Sequence, residues 1–171
     1  PSDHLIKYTS MFLNTLSDAC EVARQGDNLV TLGITPDAPE TGYGYIKFRP
    51  DETLGRAFAV EKFVEKPNLD TAKEYLRTEQ YLWNSGMFIW KVSTILENLK
   101  EHLPQIYVGL RQIGDALGTP EAETVLKREF PTFPSESIDY GVMEKARNIY
   151  IIPGTFGWDD VGSWLAVERI K

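Results

Sequence analysis

Apolar residues recur at four-residue spacing near the start of the chain, at Tyr8, Phe12, Leu16 and Cys20, with Met11, Ala19, Val22 and Ala23 beside them. That spacing predicts an amphipathic helix ended by Gly26. The pattern then changes, because Asn28-Leu29-Val30-Thr31-Leu32-Gly33-Ile34 is a short apolar run of the kind a buried strand requires. Residues 36–42, with Pro36, Pro39 and Gly42, form a loop. Residues 45–48 and 57–64 read as strands around a polar hairpin region. A helix is predicted over 69–78, with Asn68 as its cap.

Farther along, Met87-Phe88-Ile89-Trp90 predicts a buried strand and 92–99 returns to helical spacing. Pro104 opens a second helix with Ile106, Leu110 and Ile113 on one face, and 122–130 makes a third. Residues 149–152 read as a late strand, 155–158 as one more, and 163–171 as the start of another helix. Strands and helices alternate throughout, which predicts an α/β fold with a largely parallel or mixed sheet. No repeat, low-complexity tract or flexible linker interrupts the pattern, so one compact unit is expected.

Composition narrows the function. The chain has 171 residues, 42% hydrophobic and 12% aromatic, enough to bury a core and too apolar for a disordered segment. Eighteen basic against 25 acidic residues give a net charge of −7, so no basic face is expected for nucleic acid. Apolar stretches are short and interrupted, and neither a membrane span nor a secretory leader is predicted. Cys20 stands alone, which excludes an internal disulfide and a cysteine-built zinc site. The expectation is a soluble, acidic, cytoplasmic domain.

Five local patterns carry chemistry. Thr41-Gly42-Tyr43-Gly44-Tyr45 puts glycines at a strand entry, either as a tight turn or to let backbone approach a ligand. Glu65-Lys66-Pro67 closes an apolar strand, either as a solvated end or at the strand terminus where α/β folds bind ligands. Asn84-Ser85-Gly86 sets polar groups just before a predicted strand. In Ser137-Ile138-Asp139-Tyr140, Ser137 or Asp139 can cap a short helix. Asp159 and Asp160, in Gly157-Trp158-Asp159-Asp160-Val161-Gly162, can hold a hard divalent cation or cap a helix.

Taken in order, with Pro1-Ser2-Asp3-His4 in front, these segments resemble the sugar-nucleotide pyrophosphorylases, and within them the mannose-1-phosphate guanylyltransferases. The resemblance spans nearly the whole chain. It implies a Rossmann-like α/β fold with a mixed, mostly parallel sheet of the nucleotide-diphospho-sugar transferase type, incomplete at the N-terminus. It also implies that residues 1–171 are the C-terminal, sugar-phosphate-binding portion of one catalytic domain. Asp3 and Asp160 match the family's Mg²⁺ ligands, with Asp159 secondary. Gly44 matches a glycine whose backbone meets the sugar, Glu65 a carboxylate that accepts sugar hydroxyls, and Lys66 the lysine that binds the sugar 1-phosphate. Asn84 matches an amide that reads sugar hydroxyls, and Asp139 lies in a segment that lines the sugar pocket. Asp3, Lys66 and Asp160 are thus the implied catalytic set.

The implied reaction joins GTP and mannose 1-phosphate into GDP-mannose and pyrophosphate. A phosphate oxygen is already ionised near neutral pH, so neither His4 nor His102 is needed as a base, and His102 is expected on an exposed helix end. The Gly-rich, arginine-bearing nucleotide loop of the family has no counterpart in this chain, which by itself is expected to be inactive. Two rivals are a non-catalytic regulatory or sugar-phosphate-binding subunit and a pyrophosphorylase for another sugar 1-phosphate. Homo-oligomerisation is left open.

Overall fold

The computed structural model describes residues 3–162. The helix expected over 163–171 lies outside the described residues. The chain divides into two compact units, one of residues up to 90 and from 148 onward, the other of residues 91–147. The sequence pattern alone predicts one continuous unit.

The first unit is built on β2 (Leu29–Ile34), whose six residues are all buried. It pairs antiparallel with β5 (Tyr81–Ile89) on one side and parallel with β6 (Ile149–Gly154) on the other. β3 (Tyr45–Leu54) and β4 (Ala57–Val64) form a hairpin around Gly55 and Arg56. β3 pairs with β5 and β4 with β6, closing a five-stranded barrel in the order β2-β5-β3-β4-β6. Helix α1 (Thr9–Arg24) lays Ala19, Val22 and Ala23 against a core that includes Val30, Leu32, Tyr45, Trp83, Ile152 and Phe156. Helix α2 (Leu69–Thr78) starts where expected, with Asn68 Oδ1 accepting the Thr71 N–H at 2.9 Å.

The mixed sheet of an α/β protein is present, but it is not mostly parallel. Among the described strands only β2 and β6 run parallel. A two-residue turn forces β3 and β4 antiparallel, whereas β2 and β6 are joined by the long excursion that parallel pairing needs. Strand β3 also runs past its expected end through a register shift between Arg49 and Thr53. A separate short ladder pairs β1 (His4–Ile6) antiparallel with β7 (Trp158–Asp160). Flanking bonds from Val161 N to Asp3 O, Lys7 N to Gly157 O and Tyr8 N to Phe156 O extend it at both ends.

The second unit contains α3 (Val92–His102), α4 (Pro104–Ala116), α5 (Ala122–Glu129), a 3₁₀ turn (Phe130–Thr132) and a π-helical turn (Asp139–Met143). Pro104 takes a first-turn position of α4, where its missing N–H costs nothing. Gly109 of α4 lies against the Phe133 ring, and Gln105 donates to the Thr132 carbonyl at 2.8 Å. His102 ends α3 as expected, but its side chain is only 14% exposed. Among the described residues no helix is long and apolar enough to cross a membrane.

Candidate functional site

Asn84, Ser85 and Gly86 lie inside β5 rather than before it. Thr31 of β2 stands opposite Phe88, yet Gly33, two residues on, stands opposite Asn84, so β5 carries a bulge between these rungs. Gly86 takes φ +69° there, a conformation glycine adopts without a Cβ penalty. Side chains replace the interrupted ladder. Ser85 Oγ donates to the Leu32 carbonyl at 2.7 Å, and Asn84 Oδ1 accepts from Gly86 N at 3.1 Å and Thr31 Oγ1 at 3.3 Å.

Gly44 meets Asn84, Glu65 lies beside Gly44, and Lys66 beside Glu65. The Asn84 backbone N–H donates to the Gly44 carbonyl at 2.8 Å, linking the glycine loop to the bulge. A Cβ on Gly44 would run into Glu65 Oε2 and lie 3.3 Å from the Asn84 Cβ, so a side chain here would make the Glu65 carboxylate shift. Lys66 follows with φ +46°. Left-handed backbone is uncommon for a residue with a side chain and is further disfavoured before proline. Such a conformation costs about 1–3 kcal/mol and persists only where surroundings enforce it. Just beyond the end of β4, Lys66 Nζ lies 3.6 Å from Glu65 Oε1. Glu65 is the buried partner, at 13% side-chain exposure, and Lys66 the exposed one at 62%.

The β1–β7 ladder assembles a second corner. His4 is the register partner of Asp160, and single ligand atoms of Asp3, His4 and Asp160 all lie within 4.8 Å of one another. A hard divalent cation takes one or two carboxylates and completes its shell with water and phosphate oxygens, a donor set that Asp3 and Asp160 fit. His4 does not join them while Trp158 Nε1–H donates to its Nδ1 at 3.0 Å. An accepting Nδ1 leaves the ring proton on Nε2, so neither nitrogen offers a metal a lone pair. Asp159 pairs with Leu5 and, as the strand neighbour of Asp160, faces the other way.

Aromatic rings run between the two corners. His4 meets Trp158 edge-on at 5.2 Å, Trp158 meets Tyr43 at 5.5 Å, and Tyr43 meets Trp83 at 5.1 Å. Tyr43, Trp83, Trp158 and Asp159 line a small cleft with Asp37 and Glu40. The buried Tyr45 hydroxyl pins this loop by donating to the Glu40 carbonyl at 2.9 Å. Burial, foremost, pushes that hydroxyl's pKa up. Asp139 opens the π-helical turn. It belongs to the second unit, where the Ser137 hydroxyl accepts the Tyr140 N–H at 3.4 Å as a weak cap. Sequence reasoning misses Thr31, Tyr43 and Trp158; for Thr31 the available signal is one hydroxyl in a fully apolar run.

Comparison with known proteins follows this geometry. The family model described as "Nucleotidyl transferase" matches residues 1–171. A mannose-1-phosphate guanylyltransferase of Salmonella muenchen is 43% identical over 173 residues, covering 99% of this chain and 36% of the relative. The xanthan biosynthesis protein XanB of Xanthomonas campestris pv. campestris (strain B100) is 46% identical over 173 residues, covering 100% of this chain and 36% of the relative. A crystal structure from Thermus thermophilus, described as a mannose-1-phosphate geranyltransferase, superposes with a TM-score of 0.85 at 38% identity, covering 99% of this chain and 48% of that one. The chain thus spans 36% of the length of the two curated relatives.

Proposed function

Because the chain belongs to the nucleotidyl transferase family, we propose that it supplies the sugar-phosphate and metal side of a catalytic domain that makes GDP-mannose and pyrophosphate from GTP and mannose 1-phosphate. The observation that carries this reading is the convergence of Gly44, Glu65, Lys66 and Asn84 on one corner of the first unit. A backbone carbonyl, a carboxylate and an amide suit sugar hydroxyls, and the exposed ammonium beside them suits a phosphate. The names of the relatives support mannose 1-phosphate as that ligand and GTP as its partner.

In this reading Glu65 and Asn84 hold the sugar ring, and Lys66 neutralises and orients the attached phosphate. An oxygen of that phosphate attacks the α-phosphorus of GTP, and the bond to pyrophosphate breaks. Orientation matters because two polyanions must approach in line. Asp3 and Asp160 would hold Mg²⁺, which when bound supplies positive charge that offsets their repulsion. Lys66 adds a fixed charge on the attacking side. The loss of a proton is not required, so the His4–Trp158 bond can stay intact throughout.

The test is calorimetric titration of the complete enzyme with mannose 1-phosphate, with and without Mg²⁺ and GTP, alongside pyrophosphate release. Saturable binding that K66A weakens, together with GTP-dependent turnover, is the expected result. Binding without turnover would favour a regulatory or sugar-phosphate-binding subunit, and tighter binding of another sugar 1-phosphate would change the assigned substrate.

A further inference from the structure

Tyr45 opens β3 fully buried, its backbone in register with Val64 on one side and Trp83 on the other, its ring against Tyr75 at 5.4 Å. Packing fixes its position, so its hydroxyl is a rigid point from which a neighbour can be held. The neighbour is the loop that precedes it. Pro36 and Pro39 restrict the backbone in the first half of that loop, whereas Gly42 leaves the second half pliant. Two bonds tie this pliant half. At its far end the Gly44 carbonyl accepts the Asn84 N–H at 2.8 Å, and at its near end the Glu40 carbonyl accepts from Tyr45 Oη at 2.9 Å. A carbonyl cannot donate, so the direction of the Tyr45 bond is unambiguous. Between the two ties lies Tyr43, whose ring meets Trp83 and Trp158 in the cleft. We propose that Tyr45 is a positioning residue that holds Tyr43 in place as a wall of the sugar 1-phosphate site; this rests on the functional reading above. Without the hydroxyl, the Glu40 carbonyl faces a bare ring edge and turns toward water, because an acceptor stripped of its donor costs more than one solvated. Glu40 makes a further interaction of its own, so the loop is loosened rather than released. Apparent affinity then falls with the fraction of molecules whose loop remains in place.

Tyr45→Phe keeps the ring and removes the tether. In the complete enzyme Y45F is expected to raise the KM for mannose 1-phosphate up to about fivefold, the equivalent of one neutral hydrogen bond. Saturating sugar restores the loop, so kcat and the KM for GTP should stay within about twofold. Hydrogen exchange of the unliganded enzyme should quicken more across residues 36–44 than in β2 or β6. A merely structural role would quicken exchange evenly and leave the two substrates equally affected. Even exchange, an unchanged KM for mannose 1-phosphate or an equal rise for GTP would each overturn the proposal. Gly42→Ala supplies the converse. A Cβ there meets no atom within 4 Å and the backbone is not left-handed, so alanine fits the present loop while removing other conformations. In the Y45F background it should recover about twofold or more of the lost affinity. In the otherwise unmodified chain it should slow exchange over residues 40–44 without weakening sugar binding, a test that stands even if Y45F does not fold. A G42A enzyme that binds mannose 1-phosphate more weakly overturns the proposal, because the loop as it stands would then not be the one that receives the sugar. Failure of the unmodified enzyme to bind mannose 1-phosphate overturns the functional reading instead, and the exchange comparison still decides whether Tyr45 tethers the loop.

Discussion

Trp158 donates its indole N–H to Nδ1 of His4 at 3.0 Å across 154 positions of sequence, and the two rings meet edge-on. The bond spans the same short ladder that sets Asp160 beside Asp3. Trp158→Phe keeps a ring and removes the donor, and should lower stability by about 1 kcal/mol. It should also raise the Mg²⁺ concentration needed for half-maximal activity. Denaturant midpoints and a Mg²⁺ titration read the two effects, and a W158F protein unchanged in both would show that the ladder holds its register without this bond.

Asp160→Asn in the complete enzyme is expected to lower turnover far more than mannose 1-phosphate affinity, because a metal ligand acts on charge that grows during the reaction, an effect of several kcal/mol. Steady-state kinetics at saturating Mg²⁺ measure it. Near-normal turnover would remove Asp160 from the metal site.

Lys66 allows two separate readings. Lys66→Ala should weaken sugar 1-phosphate binding by roughly 1.5–3 kcal/mol and leave GTP binding nearly intact. Lys66→Gly should match it in binding but fold about 1 kcal/mol more stably than K66A, since glycine accepts φ +46° without strain. Where φ is negative alanine is the more stable of the two, so the inverted order is diagnostic. Thermal unfolding of both variants gives the comparison.

Gly44→Ala places a methyl against Glu65 Oε2. The carboxylate must move or the glycine loop must lift, at roughly 1–3 kcal/mol. The KM for mannose 1-phosphate should rise with little change for GTP. Wild-type kinetics in G44A would mean that Glu65 does not touch the sugar.

Tyr81 gives the chain an alkaline limit. Its hydroxyl is pushed up to about 12, by burial first and then by the neighbouring Tyr75, whose ring stacks on it at 3.8 Å. An unfolded tyrosine ionises near 10. Between those values the unfolded chain has lost a proton that the folded chain keeps, so stability present below about pH 10 declines as pH rises toward about 12. Tyr81→Phe should flatten part of that decline, as urea midpoints at about pH 9 and about pH 11 would show. The raised Tyr45 group acts in the same direction.

Local signals are legible in the sequence and distant ones are not. The Asn68 cap, the Pro104 start and the buried run of β2 depend on neighbours within a few residues, and each stands where the pattern places it. The polar Asn84-Ser85-Gly86 breaks an apolar run, so sequence alone starts β5 at 87, and only cross-strand bonds to Thr31 and Leu32 make that break a bulge. The pattern sets β7 at 155–158, short of its true place, because its pairing partner is β1, far away in sequence. The motif residues of the candidate site are legible as residue types. Their meeting is not, since the kink at Lys66 and the contact of Gly44 with Glu65 and Asn84 are facts of backbone geometry.

The β1–β7 ladder also imposes an order in time. Asp3 leaves the ribosome long before Asp160 does, by about 8 to 30 s at roughly 5–20 residues per second. During that interval β1 has no strand to pair with, and one carboxylate of the pair stands alone. Non-local pairing of this kind forms late in folding, after the local helices and hairpin. In the proposed reading a nascent or misassembled chain offers a divalent cation one weak ligand rather than a pair, and capture of the ion would double as a check that synthesis and folding have run through residue 160.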